Sequence, residues 1–354
     1  MSAFVDNAGK INSKTFKEVL LPQSGYPRKE VRTGPRFGVD TSVIDLGNNL
    51  GMAVSSDPLS LIPPLGLKES AWLSVHLLAN DMATTGFSPM YTQFVLNLPT
   101  TLTLDSFKEY WEYIHIFCRD IGVSITGGHT GQIEGQNSTI SGGGTMFLTA
   151  PADEIITGDN ADPGDLIVVT KETALTASSI LAMSFPETTQ NKLGTEVFKK
   201  GCENFYQTSS LKDALSAAEI MQNNQDLKAM HDVTEGGVLG AISEMAAASD
   251  CGFLVHDDQL PVGEVQRQIT DFFGIDHRYC VGAGSMIMAI KKGREKELID
   301  HLQTQSVKAT IVGEMTEKQK GCMIIENNEE KAFSFEGNDP YWEAFFKAYK
   351  AGLK

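Results

Sequence analysis

Three carboxylates in the amino-terminal half lie among apolar neighbours, where an acid is costly to bury unless a cation or hydrogen-bond donors pair with it. Asp40 lies in Arg36-Phe37-Gly38-Val39-Asp40-Thr41-Ser42-Val43-Ile44, where a loop enters an apolar stretch. Asp57 ends a strand-like run at Ser55-Ser56-Asp57-Pro58, and Asp81 sits with Asn80 inside the otherwise apolar helical pattern His76 to Ala83. Magnesium takes a few carboxylate oxygens together with nucleotide phosphates, so three aspartates gathered by the fold would serve a cation-nucleotide site. Taken singly, each reads better as something plainer: a turn residue, an Asx turn at a strand end, an exposed helix position. Their combination is what points to a site.

The second half offers His231-Asp232-Val233-Thr234-Glu235-Gly236-Gly237-Val238, running into the helical pattern Leu239 to Ala246. Thr234 can cap that helix, and paired glycines let a ligand approach the backbone amides of a helix start that attracts phosphate oxygens. A plain strand-to-helix turn explains the same residues equally well. Gly127-Gly128-His129-Thr130 follows a strand pattern, and adjacent glycines there suit either a ligand or an ordinary bulge. His129 reads as a metal ligand or proton carrier, or as a surface histidine. There is no GxxxxGK[ST], no complete dinucleotide fingerprint at Gly282-Ala283-Gly284, and no GxSxG elbow.

Composition narrows the classes. The 354 residues, 41% of them apolar, suit two domains of common size. A formal charge of -16 with no basic run repels a phosphate backbone or an anionic membrane surface, so nucleic acid and membrane are not expected partners. A phosphorylated small molecule stays compatible, because a divalent cation inverts the local field. Cys118, Cys202, Cys251, Cys280 and Cys322 are odd in number and lack CxxC spacing, which reads as reduced thiols of a cytoplasmic protein. The start, MSAFVDNAGKINSKTF, has no basic segment followed by an apolar one.

The elements that must position these residues read as follows. Residues 1–36 form an arm with one short helical pattern at Thr15 to Leu21. From Gly51 the periods give β-α-β-α-β-β through Thr149, an α+β domain whose helices cover one sheet face and leave the other in need of a partner. The proline-punctuated stretch Ala150 to Gly164 separates a domain over 37–150 from one over 151–335. The second domain alternates strands at Asp165–Thr170, into His231-Asp232, Phe253–His256 and Ser285–Ile290 with helices at Ala174–Met183, Ser209–Met221, Val238–Ala248, Gly263–Phe273 and Arg294–Thr304, then two final strands. Residues 336–354 form a terminal helix, with Asp339 as N-cap, Pro340 at its first position, and Tyr341, Phe345 and Tyr349 on one docking stripe.

Taken in order, these segments resemble the PurM-like superfamily of aminoimidazole ribonucleotide synthetase, thiamine-monophosphate kinase, selenophosphate synthetase and HypE, with HypE nearest. Gly9-Lys10-Ile11 with Leu21-Pro22, Gly38-Val39-Asp40-Thr41-Ser42-Val43-Ile44, Ser56-Asp57, Asn80-Asp81-Met82-Ala83 and Gly127-Gly128-His129-Thr130 are similar to its amino-terminal motifs. Asp165 to Val169, His231-Asp232-Val233-Thr234-Glu235-Gly236-Gly237 and Gly282 to Ile290 are similar to its carboxy-terminal ones. At His231-Asp232 the HypE pattern has Arg-Asp.

The resemblance implies a two-domain fold, α+β overall, with an N-terminal sheet pairing across a homodimer into a barrel and a C-terminal α/β sandwich. It implies ATP with Mg2+, and phosphorylation of an oxygen of a small or carbamoyl-type substrate. Asp40, Asp57 and Asp81 would hold metal and phosphates, with Asp57, Asp81 and His129 as the catalytic candidates. Asn80, Gly127, Gly128, Thr130, Asp232, Thr234, Gly236 and Gly237 would line the nucleotide or substrate. A maturation partner protein is a further implication. Val39 and His129 stand where the family has acids, and the last cysteine is Cys322, so HypE chemistry on its own carboxy-terminal cysteine is not expected. A thiamine-monophosphate-kinase-like phosphotransferase and a catalytically degenerate nucleotide-binding maturation or scaffold protein are the alternatives.

Overall fold

The computed structural model describes residues 11, 13–335 and 339–354. Gly9, Lys10, the first ten residues of the arm and residues 336–338 lie outside the described residues. The arm begins with α1 (Ser13–Thr15), which continues as a π-helical turn at Phe16–Leu20 and a 3-10 turn at Leu21–Gln23, none of it buried. The ring of Phe16 reaches Phe37, centroids 6.2 Å apart.

A six-stranded sheet follows. Its strands are β1 (Val31–Thr33), β2 (Ser42–Gly47), β3 (Leu50–Ser60), β4 (Tyr91–Pro99), β5 (Ser124–Ile133) and β6 (Ile140–Pro151), in the order β1-β2-β3-β6-β4-β5. All neighbours are antiparallel except β4 and β5. Two strands precede the first one expected. Asn48 and Asn49 hold φ of 54° and 57°, the left-handed pair of a tight hairpin, and carry β2 straight back into β3.

Helices α2 (Leu67–Ala83) and α3 (Leu104–Asp120) cover one face of this sheet. Thr103 caps α3 by accepting from the Ser106 amide, and its stripe Tyr110, Ile114, Phe117 and Cys118 is buried, as helical spacing requires. Helix α2 is different, because it is buried nearly all round. Val75, Leu78, Ala79 and Met82 face the sheet, while Trp72 and His76 hydrogen-bond Thr208 and Ser209 of the second domain at 2.9 Å. On the opposite sheet face Met52, Val54, Tyr91, Val95 and Phe147 remain partly or fully exposed, Val95 by 44%.

The second domain runs β7 (Leu166–Thr170), α4 (Leu175–Ser184), α5 (Pro186–Leu193), α6 (Thr195–Phe205), α7 (Leu211–Ile220), β8 (Leu227–Asp232), α8 (Gly237–Ala248), β9 (Cys251–His256), α9 (Glu264–Phe273), β10 (Met286–Ile290), α10 (Glu295–Thr304), β11 (Ala309–Glu317), β12 (Cys322–Glu326), β13 (Glu329–Ala332) and α11 (Pro340–Lys350). The sheet order is β13-β12-β9-β11-β7-β10-β8. Helix α8 packs on one face, with Val238, Ile242 and Met245 against Ile167, Ala229 and Phe253. Helices α7 and α10 pack on the other, against Val168, Met230 and Met288. Buried on both sides, β10 is apolar at every position rather than alternating.

Helices α5 and α6 fill a stretch with no expected element. Only Thr189 of α5 is buried, so it carries no apolar stripe to read. At the far end, Asp339 accepts from the Tyr341 amide and caps α11. The buried stripe is Tyr341, Ala344, Phe345 and Ala348, whereas Tyr349 is 65% exposed and lies off it. Among the described residues no helix is long and apolar enough to cross a membrane, and the five cysteines are free thiols.

Candidate functional site

Strand β3 and helix α2 deliver the first two acids. Side chains alternate along a strand, so Ser55 and Asp57 share the face that α2 covers. The Ser55 hydroxyl donates a 2.6 Å hydrogen bond to Asp81 Oδ2 on α2.

Asp40 arrives on the loop before β2. Gly38 holds φ +81°, and a Cβ there would stand 2.4 Å from the Glu244 carbonyl oxygen of α8, so only glycine lets this loop lie on that helix. Arg36 pins the loop from its other side, pairing with Asp159 at 2.6 Å and donating to the Ala248 carbonyl. Opposite, β8 ends on His231 and Asp232, each 1% exposed. Asp40 Oδ2 lies 3.4 Å from His231 Nδ1, and Asp232 Oδ1 lies 4.0 Å from the same nitrogen. Behind the ring, Glu244 Oε2 is 3.4 Å from Nε2.

These acids act on one another. Burial first, then the negative charges of Asp232, Asp57 and Asp40, hold the Asp81 carboxyl well above its ordinary range, against the lowering effect of the Ser55 hydrogen bond. Four aspartates from four chain segments thus share one field. A divalent cation is the chemical species that such a donor set accommodates, since it adds positive charge where like charges crowd. Carboxylate oxygens suit magnesium, so the residues present fit that ion.

The glycine-led start of α8 differs from expectation in detail. Thr234 does not cap it: Gly236, in left-handed conformation, is the cap residue and no side chain of the turn takes the cap bond. Instead the Gly236 amide donates to Asp339 Oδ2 at 3.0 Å, and Trp342 Nε1 donates to Glu235 at 3.0 Å. A Cβ on Gly236 would meet the Phe335 ring at 2.6 Å, and one on Gly237 the Arg278 carbonyl at 2.4 Å. The left-handed backbone at Gly236, φ +90°, and the Arg278 main chain against Gly237 therefore require both glycines without any ligand. Asp339 is pushed up to about 6, chiefly by burial, against the amides of Tyr341 and Gly236 that favour its charge.

Other expected residues lie elsewhere or serve otherwise. Both ends of the Asn80 amide are committed across the domain junction, Nδ2 to the Thr208 carbonyl at 2.9 Å and Oδ1 to the Ser210 amide at 2.7 Å. Gly127, Gly128, His129 and Thr130 are exposed on β5, the outermost strand. Gly128 is there because a Cβ would stand 1.9 Å from the Phe94 carbonyl oxygen of β4. His129 belongs neither to the charges acting on Asp81 nor to the cluster around Asp40.

Two residues of the pocket were not singled out from sequence: His231 and Glu244. Glu244 carried the same signal as Asp81, an acid inside an apolar helical run. His231 stood beside Asp232 in a motif read for its glycines.

Comparison with known proteins gives two contiguous matches. Residues 38–147 match the family model described as AIR synthase related protein, N-terminal domain, and residues 162–326 match its C-terminal domain. Carbamoyl dehydratase HypE of Azotobacter vinelandii is 25% identical over 244 residues, 68% of each chain. Thiamine-monophosphate kinase of Buchnera aphidicola is 22% identical over 353 residues, covering 94% of this chain and 98% of that protein. Among solved structures, a HypE-HypF complex aligns with TM-score 0.70 at 17% identity, over 90% of this chain and 99% of the other. HypE in complex with ATP aligns with TM-score 0.67 at 19% identity, over 94% and 97%. At these identities the solved structures establish the two-domain PurM-like fold.

Proposed function

This chain belongs to the AIR synthase related protein family, and from that premise we propose that it is an ATP-dependent enzyme that phosphorylates an oxygen of a small or carbamoyl-type substrate with magnesium. The observation that carries the reading is the convergence of Asp40, Asp57 and Asp232 on buried Asp81, whose carboxyl is raised first by burial and then further by their charges. Bound magnesium-ATP supplies the phosphoryl group and the charge that offsets these acids. The chain's own residues would do the rest. Asp40, Asp57 and Asp81 hold the cation, the Ser55 hydroxyl keeps the Asp81 carboxylate aimed, and Asp232 closes the pocket from the second domain. Positioning and electrostatic stabilisation account for most of the rate in phosphoryl transfer, so no side-chain nucleophile is required.

The open face of the first sheet fits a homodimer. Met52, Val54, Tyr91, Val95 and Phe147 present apolar surface that a second copy would cover by pairing sheets into a barrel. A HypF-like maturation protein is the corresponding partner in the carbamoyl reading, supported by the fold shared with a HypE-HypF complex. The match over nearly the whole length of a thiamine-monophosphate kinase supports a phosphotransferase of that kind as the competing reading.

Magnesium-dependent ATP turnover, measured with carbamoyl-type and thiamine-monophosphate substrates in parallel, tests the proposal. Turnover should rise with one substrate class and fall at least about 100-fold in Asp57→Asn and in Asp81→Asn. Turnover that survives both substitutions removes the assigned site, and ATP-induced stabilisation without hydrolysis favours the scaffold alternative.

A further inference from the structure

We propose that His231 supplies a nitrogen ligand to a divalent transition-metal ion held together with Asp40 and Asp232, so that this pocket selects manganese or a similar ion over magnesium. One ligand atom from each of the three residues lies within 4.8 Å of the others. His231 Nδ1 stands 3.4 Å from Asp40 Oδ2 and 4.0 Å from Asp232 Oδ1. Atoms bound about 2.1 Å from one ion stand about 3 Å apart when adjacent and about 4 Å apart when opposite, so these separations span a single coordination sphere.

The surroundings of the ring support the same assignment. Glu244 Oε2, 3.4 Å from Nε2, is placed to accept the proton-bearing side of the imidazole, which is how a carboxylate fixes the tautomer and orientation of a metal-bound histidine. Nδ1 lies 2.7 Å from the Asp232 main-chain oxygen, so without an ion it donates there. Binding exchanges that hydrogen bond for a metal bond and places the ring proton on Nε2 facing Glu244. At this position the HypE motif has arginine, which has no lone pair to give a metal. Imidazole suits first-row transition ions such as zinc, iron or nickel, and Mn2+, at the start of that series, takes a nitrogen donor beside carboxylates more readily than Mg2+, which takes oxygen and holds its water. The inference rests on the proposed function only in sharing its pocket.

The test loads the full chain with Mn2+ alone and records pulsed electron paramagnetic resonance. Wild-type protein should show nitrogen modulation that changes to the 15N pattern when the chain is made with 15N-histidine, a comparison that needs no variant. His231→Gln should lose the modulation and weaken Mn2+ binding at least about tenfold, with Mg2+ binding changed by less than about threefold. One bound Mn2+ without nitrogen modulation overturns the proposal. So does failure of Mn2+ to bind at millimolar concentration, or unchanged affinity in a folded His231→Gln. Magnesium-ATP turnover measured on the same samples separates the two readings: turnover without a nitrogen signal sinks only this inference, and a nitrogen signal without turnover sinks only the proposed enzyme.

Discussion

Asp81 carries the strongest charge conflict at the residue scale. Its folded pKa lies above the unfolded carboxylate value, so the metal-free protein loses stability as pH rises through the interval between the two and carries the full cost above it. Asp81→Asn removes that cost. Differential scanning calorimetry of the metal-free protein at pH 8 should show a melting temperature higher by about 2 °C or more, with the gain shrinking toward pH 4. A lower or unchanged value at pH 8 contradicts the crowding. The same substitution is expected to remove turnover, so function and stability oppose each other at this position. Asp40, Asp57 and Asp81 were legible because an acid in apolar sequence demands an explanation wherever it lies, whereas Asp232 entered only through the motif that resembles the family's. His231 and Glu244 were not, since chain order does not show which helix a loop will rest on. Asn80 stands beside Asp81, which points to the acids, while its own amide splints two domains.

At the scale of elements, the junction of α8 and α11 carries a pH-sensitive contact. Asp339 has a folded value of about 6, above its ordinary one, because burial of the charge costs more than the Tyr341 and Gly236 amides return, so the junction loses stability as pH rises from about 4 to 6. A 5-fluorotryptophan resonance from Trp342, whose ring donates to Glu235, should therefore titrate near pH 6 in wild-type protein and lose that titration in Asp339→Asn. A flat wild-type profile rules this out. Amphipathic elements such as α3 and caps such as Asp339 could be read from spacing alone. Two kinds of element could not. The β2–β3 hairpin turns on Asn48 and Asn49, which lack the usual glycine, and α5 is too polar to show a face.

For the whole molecule, the proposed dimer is open to direct measurement. Val95→Glu places a charge on the exposed apolar sheet face, and sedimentation velocity should shift from dimer to monomer while the melting temperature changes little. A wild-type chain that sediments as a monomer at working concentration removes the barrel. The loop that lies on α8 has a wider meaning for the lineage. Because no side chain fits between Gly38 and the Glu244 carbonyl, an amino-terminal half borrowed from a cousin must match the helix surface of its host closely at this point. The halves are therefore poor interchangeable parts, and changes in one must be answered by changes in the other if a chimaera is to inherit a working pocket.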